Sequence, residues 1–87
     1  MKITAAAFSR LKLKLRGQPE GTAVRIKLED GLVTFRPDMK KEGDVVFAHR
    51  GQSVLVVAPD TAQRIDARTL DVVETTAGDR LRFVKTV

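Results

Sequence analysis

The aliphatic run Val54-Leu55-Val56-Val57 has to be covered by the rest of the chain. It is apolar on both faces of an extended strand, so we predict a strand over 53–57 that is the most buried element. The segment His49-Arg50-Gly51-Gln52 joins it to another predicted strand, over 44–48. A short helix is predicted over 59–65, because a proline at its first turn loses no helical hydrogen bond. These elements together predict a β-rich core.

The N-terminal region is predicted to form a helix from Thr4 to about Arg16. Thr4 is a good N-cap residue before Ala5-Ala6-Ala7. Apolar residues fall at helical spacing and form one stripe: Ala7, Phe8, Leu11 and Leu15. Residues 11–16 alternate as a strand does, but Leu, Lys and Arg are good helix formers and the cap favours a helix. Leu13 falls off the stripe, so it either packs sideways or contacts another subunit.

Four other strands are predicted where apolar and polar residues alternate, over 23–28, 32–36, 70–74 and 81–84. Asp30-Gly31 joins the first two as a tight hairpin, since a primed turn needs positive φ angles. Arg25 and Lys27 are predicted to lie on the polar face of the first strand. Pro37-Asp38 is predicted to end the second strand, before a charged loop over 39–43.

Composition sets further limits. The chain has 87 residues and no cysteine, so we expect one domain over 1–87 with neither a disulfide nor a thiolate metal site. Hydrophobic residues make up 43% of the chain, which is enough for a globular core. No apolar run approaches the roughly 20 residues that span a bilayer, and no signal-peptide segment is present. We therefore expect a cytoplasmic protein with no membrane segment.

The net charge of +5 permits contact with an acidic partner or with nucleic acid. The basic residues are spread along the chain, and without Trp or Tyr it has few side chains for base stacking. We therefore favour a solvated surface over nucleic-acid binding. On the predicted N-terminal helix, basic residues form two groups, with Arg10, Lys14 and Lys2 on one side and Lys12 and Arg16 on the other. A solvated helix back is the simpler interpretation, and a docking face for an acidic partner is the alternative.

His49 is the one histidine and the first candidate for metal or acid–base chemistry. We predict a plain surface residue at a hairpin tip, because one imidazole beside Arg50 does not make a cation site without partners. Nucleophilic catalysis needs a Ser or Thr beside a base, and neither Ser9 nor Ser53 has a recognisable His–Asp pair. The glycine-rich phosphate-binding motifs are absent.

Carboxylates are the remaining candidate ligands. Those nearest to a cluster in the sequence are Asp60, Asp66, Asp71 and Glu74. Their spacing matches no calcium loop, and we predict that Asp60 caps a helix and that Asp66 lies in a turn. We therefore predict no catalytic, cofactor-binding or metal-binding residue in this chain.

Several motifs, in order, resemble the HesB/IscA family of iron–sulfur cluster biogenesis proteins. Met1-Lys2-Ile3-Thr4 resembles the opening of that family, and Glu42-Gly43-Asp44-Val45-Val46-Phe47 resembles its E-G-D-x-V-F segment. Gly51 to Val57 resembles the hairpin return G-x-x-V-L-V. Ala58-Pro59-Asp60 stands where the family often has D-P-x-S. The segment from Ile65 to Asp71 resembles L-D-G-T-x-I-D, with Ala67 for the usual glycine and, just beyond, Val72 for the usual aromatic residue.

The resemblance implies a HesB-like β-sandwich or pseudo-barrel of short mixed strands, in the class all-β to α+β. It also implies three cysteine ligands, one in a mid-chain glycine-rich loop and two in a C-G-C tail. Here Leu28 to Leu32 makes a direct turn in place of that loop, and Lys85-Thr86-Val87 follows the last strand. We therefore expect all three ligand positions to be deleted, so that no residue inherits the ligand role.

The function expected from this resemblance is that of a non-catalytic, cluster-free accessory or interaction protein related to iron–sulfur cluster assembly. Self-association, as a dimer, is expected as well. One alternative is a metal or small-ligand binder that uses oxygen and His49 ligands. Another is a charge-driven binder of an acidic partner or nucleic acid. An enzyme is the least favoured class.

Overall fold

The structure is a computed structural model and describes residues 1–84. The elements follow one another as β1 (Lys2–Ile3), α1 (Ala5–Lys14), β2 (Thr22–Glu29), β3 (Leu32–Met39), β4 (Val45–His49), β5 (Gln52–Val57), α2 (Pro59–Arg64), β6 (Thr69–Thr75) and β7 (Gly78–Val84). This β-rich α+β arrangement of two mixed sheets and two helices confirms the predicted fold class.

The larger sheet has the strand order β3-β2-β5-β4. Its two outer pairs are antiparallel, and β2 pairs with β5 in parallel, with Val24 opposite Leu55. The predicted Asp30-Gly31 hairpin is confirmed, because these residues have φ angles of 50° and 78°. The hairpin between β4 and β5 turns in the same way, at Arg50 and Gly51, with φ angles of 52° and 79°.

The smaller sheet has the order β1-β6-β7. Its first strand is only two residues long and pairs in parallel with β6, with Lys2 opposite Thr69. β6 and β7 form an antiparallel hairpin, in which Leu70 lies opposite Phe83. The sequence gives no local sign of β1, because two residues become a strand only through a partner far along the chain.

The core lies between the two sheets and α1. Its buried side chains come from α1 and the residue after it, from both sheets and from the residue after α2: Ala7, Leu11, Leu15, Val24, Ile26, Val54, Leu55, Val57, Ile65, Leu70 and Leu81. The prediction that the strand around Leu55 is the most buried element is confirmed for the run Val54-Leu55-Val56-Val57, since each of these residues is 0% exposed. Phe8 is partly buried beside this core, and Leu13 is 48% exposed, off the apolar stripe as predicted.

Three predicted boundaries or roles need correction. β3 does not end at Arg36 but continues to Met39, because it is the outer strand of its sheet and a proline is tolerated at an edge. β7 begins at Gly78 and not at Leu81, where the last strand was predicted to start. The N-cap of α2 is Ala58, without a side-chain cap bond, so Asp60 does not cap this helix and lies in its first turn. Within residues 1–84, neither helix has the length and apolarity needed to cross a membrane.

Candidate interaction groove

A groove of about 860 Å³ lies at the boundary between the two sheets. It lies between β3, the last strand of one sheet, and β7, the last strand of the other. Its apolar lining comes from these two strands: Leu32, Val33, Phe35, Leu81 and Phe83. Phe35 and Phe83 meet across this boundary with ring centroids 6.4 Å apart. These two rings therefore bring the two sheets close together where they form part of the groove lining.

The charged lining of the groove is almost entirely basic. Asp79 is the single carboxylate in the lining. Five cationic side chains line the groove: Arg10, Lys14, Arg68, Arg80 and Arg82. Arg10 and Lys14 are four residues apart on α1, so they share one helix face. Concentrating one sign of charge in a concave site attracts ligands of the opposite sign.

Arg10 is the least solvated of these cations. Its side chain is half-buried, and its Nε has no hydrogen-bond partner among the described residues although solvent does not reach it. The interpretation of this helix face as a solvated back is therefore incomplete, because Arg10 and Lys14 adjoin the β7 arginines. Lys2, which the helical pattern grouped with them, is not part of the groove lining, since it belongs to β1.

Two edge strands border the groove. In the order of each sheet, β3 and β7 have a strand neighbour on one side only within residues 1–84. An edge strand presents alternate backbone N–H and C=O groups to whatever lies beside it. β3 carries Pro37, which has no N–H to donate and so blunts its edge. β7 contains no proline.

His49 is not the plain turn residue that the sequence predicted. It is the last residue of β4, and its half-buried ring stacks on Phe8 with centroids 4.4 Å apart and an interplanar angle of 19°. Burial lowers the pKa of His49 below its ordinary value, and the charges of Lys12 and Arg50 lower it further. Its Nδ1 lacks a partner in the described part of the chain. The imidazole of His49 therefore favours its neutral form, and its structural role is to pack against Phe8.

A buried ion-pair cluster was missed by sequence analysis. Arg25 was placed on the polar face of β2, but it is only 5% exposed. Its Nε donates to Asp38 at 2.6 Å, and its Nη2 donates to Asp44 at 2.5 Å and to the Met39 carbonyl at 3.1 Å. Asp44 also accepts from the Lys41 backbone N–H at 2.7 Å. The cluster holds the loop between β3 and β4 against the sheet.

The ionised forms of this cluster support one another. Hydrogen bonding to Asp44 is the main reason why the pKa of Arg25 lies above its ordinary value. The same contact, with the Lys41 N–H, lowers the pKa of Asp44 to about 2. The pKa of Asp38 is lowered too, first by Arg25 and then by the Met39 N–H. With its guanidinium already bonded on three sides, Arg25 holds structure and is not available to a ligand.

The other candidate residues do not converge. Asp66 lies in a turn, as predicted, and its side chain is 87% exposed and 3.7 Å from the N-terminal amine. Asp71 lies elsewhere and accepts a hydrogen bond from Thr4 at 2.7 Å. Ser9 and Ser53 are exposed, on α1 and β5. Over residues 1–84, no three His, Cys, Asp or Glu side chains come close enough together to hold a metal ion.

The class of architecture is clear from comparison with solved structures, although the chain matches no protein-family model and no curated protein. It has the A-type iron–sulfur carrier fold. The crystal structure of Escherichia coli SufA, involved in biosynthesis of iron–sulfur clusters, is similar with a TM-score of 0.74 and 24% identity. That of IscA with a 2Fe–2S cluster is similar with a TM-score of 0.62 and 19% identity. Each match covers 97% of this chain and 83% of the other.

The groove does not have the donor groups for such a cluster. The resemblance places the missing cysteine loop at the Asp30-Gly31 turn, and Gly31 does line the groove beside β7. The sequence contains no cysteine, and the groove's charged side chains are mainly guanidinium and ammonium groups, which offer a metal no lone pair. The residues present therefore fit an anionic ligand, not a metal cluster.

Proposed function

We propose that this chain is a non-catalytic, cluster-free counterpart of the A-type iron–sulfur carriers, and that it acts through protein–protein contacts as an accessory in iron–sulfur cluster assembly. One observation carries the proposal. The carrier architecture extends over 97% of the chain, with a TM-score of 0.74 to SufA, in a sequence that contains no cysteine. A scaffold without thiolates retains surfaces on which to bind partners, but it has no means of its own to hold a cluster through sulfur.

The proposal includes a single cytoplasmic domain over 1–87 that self-associates as a dimer and has no enzymatic activity. One observation supports self-association: Leu13 on α1 is 48% exposed and lies outside the groove lining. Small β-rich domains also commonly cover their sheet edges by pairing with another chain. Light scattering at several protein concentrations measures this, and a monomer at all concentrations contradicts the dimer.

Metal analysis tests the central claim. Protein purified without oxygen is assayed for iron and sulfide and its visible spectrum is recorded, before and after reconstitution with ferrous iron and sulfide, with excess thiol then removed. We expect no stoichiometric iron and no sulfur-to-iron charge-transfer bands. IscA, whose crystal structure contains a 2Fe–2S cluster, is treated in parallel as the positive control. Stoichiometric iron that survives desalting would overturn the proposal.

A further inference from the structure

We propose that the groove between β3 and β7 binds an extended, acidic segment of a partner protein, which adds as a strand to the free edge of β7. This deepens the proposed role in protein contacts and rests on that role, but it does not depend on any part in iron–sulfur metabolism.

The backbone at the edge of β7 is suited to strand addition. β7 is the outer strand of its sheet within the described residues, and it is seven residues long without a proline. An added strand gains main-chain hydrogen bonds along such an edge, while pockets for alternate side chains set specificity. Across the groove, Pro37 removes one donor from β3, so β7 is the better template of the two edges.

The side chains along β7 define what kind of strand fits. Arg80 and Arg82 project from one face of the strand, and Leu81 and Phe83 project from the other face toward the core. An added strand therefore places alternate residues beside the arginines and the intervening residues beside the apolar lining. The matching pattern is a carboxylate at every second position with β-branched residues between them.

Helix α1 and the loop before β6 extend the positive lining. Arg10, Lys14 and Arg68 lie along the same groove, where the single acidic residue is Asp79. Arg10 lines the groove, and its Nε has no hydrogen-bond partner among the described residues, so its guanidinium is a suitable partner for a carboxylate of the added strand. Charge-assisted hydrogen bonds of this type are about twice as strong as neutral ones.

Charge and shape argue against two other occupants of the groove, a second copy of this chain and a nucleic acid. A second copy of this chain carries a net charge of +5 and brings the same cationic groove, so the contact between two grooves is repulsive. A single-stranded nucleic acid gains affinity where its bases stack on exposed aromatic faces, but Phe35 and Phe83 are half-buried and pack against each other.

Binding is tested with a fluorescein-labelled peptide, Glu-Val-Glu-Val-Glu-Val, capped at its C-terminus, and fluorescence anisotropy. The groove variant is Arg80→Glu/Arg82→Glu. Its control is Lys27→Glu/Lys40→Glu, which makes the same change in net charge at two exposed residues outside the groove. We expect the groove variant to weaken binding by about tenfold or more and the control by less than about threefold. Equal losses in both variants overturn the proposal.

A second groove variant tests the same binding without any substitution in β7, where substitutions could disturb folding. Arg10→Gln/Lys14→Gln alters only the helix side of the groove and is expected to weaken binding about three- to tenfold, with an unchanged thermal midpoint. A peptide N-methylated at alternate residues tests the strand mode, because it keeps its charges and loses donors. It is expected to bind at least about tenfold more weakly when the methylated amides face β7. Equal affinity for both peptides overturns strand addition.

Two further outcomes name the wrong occupant and overturn the proposal. One is tighter binding of a ten-residue oligothymidylate that the groove variant abolishes. The other is a dimer that Arg80→Glu/Arg82→Glu dissociates, without peptide binding by the unsubstituted protein. The iron assay reports separately on the proposed function. A protein that binds iron and not the peptide contradicts both the cluster-free function and peptide binding by the groove. A protein that binds neither contradicts only peptide binding by the groove.

Discussion

The hydroxyl of Thr4 donates a 2.7 Å hydrogen bond to Oδ1 of Asp71, a residue 67 positions further along the chain. The same hydroxyl oxygen accepts from the Ala7 N–H at 3.1 Å, which caps α1. Asp71 also accepts from the Val72 backbone N–H, and these donors, Thr4 first, lower the pKa of its carboxyl group. One threonine thus ties the start of the first helix to the central strand of the smaller sheet.

We expect Thr4→Ala to lower the free energy of unfolding by about 1–2 kcal/mol, because it removes the helix cap and leaves Asp71 without that donor. Urea unfolding followed by circular dichroism measures the change. Thr4→Ser keeps the hydroxyl and is the matched control, with an expected loss of less than about 0.5 kcal/mol. Equal losses in the two variants contradict the role given to the hydroxyl.

Replacement of Arg25 by alanine is expected to lower the thermal midpoint by on the order of 10 °C, because Asp44 is left buried without its guanidinium partner. Differential scanning calorimetry is the measurement. Arg36→Ala, at the exposed position opposite Arg25 on β3, is the control and is expected to change little. An unchanged midpoint in Arg25→Ala contradicts the structural role given to the cluster.

Acid is expected to weaken the fold through the same cluster. The pKa of Asp44 is about 2 in the folded protein, below the ordinary value of about 3.9 in an unfolded chain. Between these values the unfolded chain binds more protons, so stability present above pH 4 is lost as pH falls toward 2. Urea midpoints measured from pH 5 to pH 2 should fall in that window. Asp44→Asn should flatten the profile, and an identical slope in the variant refutes the assignment.

His49 is expected to make stability depend on pH in a different window. Its pKa is lowered in the folded protein, mainly by burial, so the unfolded chain takes up the proton first as pH falls below about 6.5. Stability is therefore complete above that pH and decreases below it, toward the lowered pKa. The thermal midpoint of the unsubstituted protein should decline from pH 7.5 to pH 5.5, and His49→Phe, which keeps the stack on Phe8, should remove the decline. A decline that persists in His49→Phe belongs to other groups.

Local signals in the sequence were sufficient for much of this fold. Thr4 and the alanines fix the start of α1, Asp30-Gly31 fixes a hairpin, and Val54 to Val57 marks the buried strand. Each of these features depends on residues close together in the chain. The architecture beyond them came from the order of motifs, and structural comparison confirms it.

The remaining features depend on distant partners. Alternation places Arg25 on the polar face of β2, and nothing nearby indicates that Asp38 and Asp44 cover that face. The groove also depends on residues that are far apart in the sequence. Its cations come from α1, from the loop before β6 and from β7, and each one has the pattern of an ordinary solvated residue in its own segment. His49 was misplaced for the same reason, since its stacking partner is Phe8.

The parallel pairing of β1 with β6 and of β2 with β5 also limits the order in which the strands can pair as the chain folds. During synthesis, the hairpin of β2 and β3 is made before β5, and β1 has no partner until Thr69 has been made. Such non-local pairs slow folding, because the chain has to close a long loop before the pairing compensates for the lost entropy. Until its second half emerges from the ribosome, the nascent chain keeps the apolar face of β2 uncovered and open to chaperones.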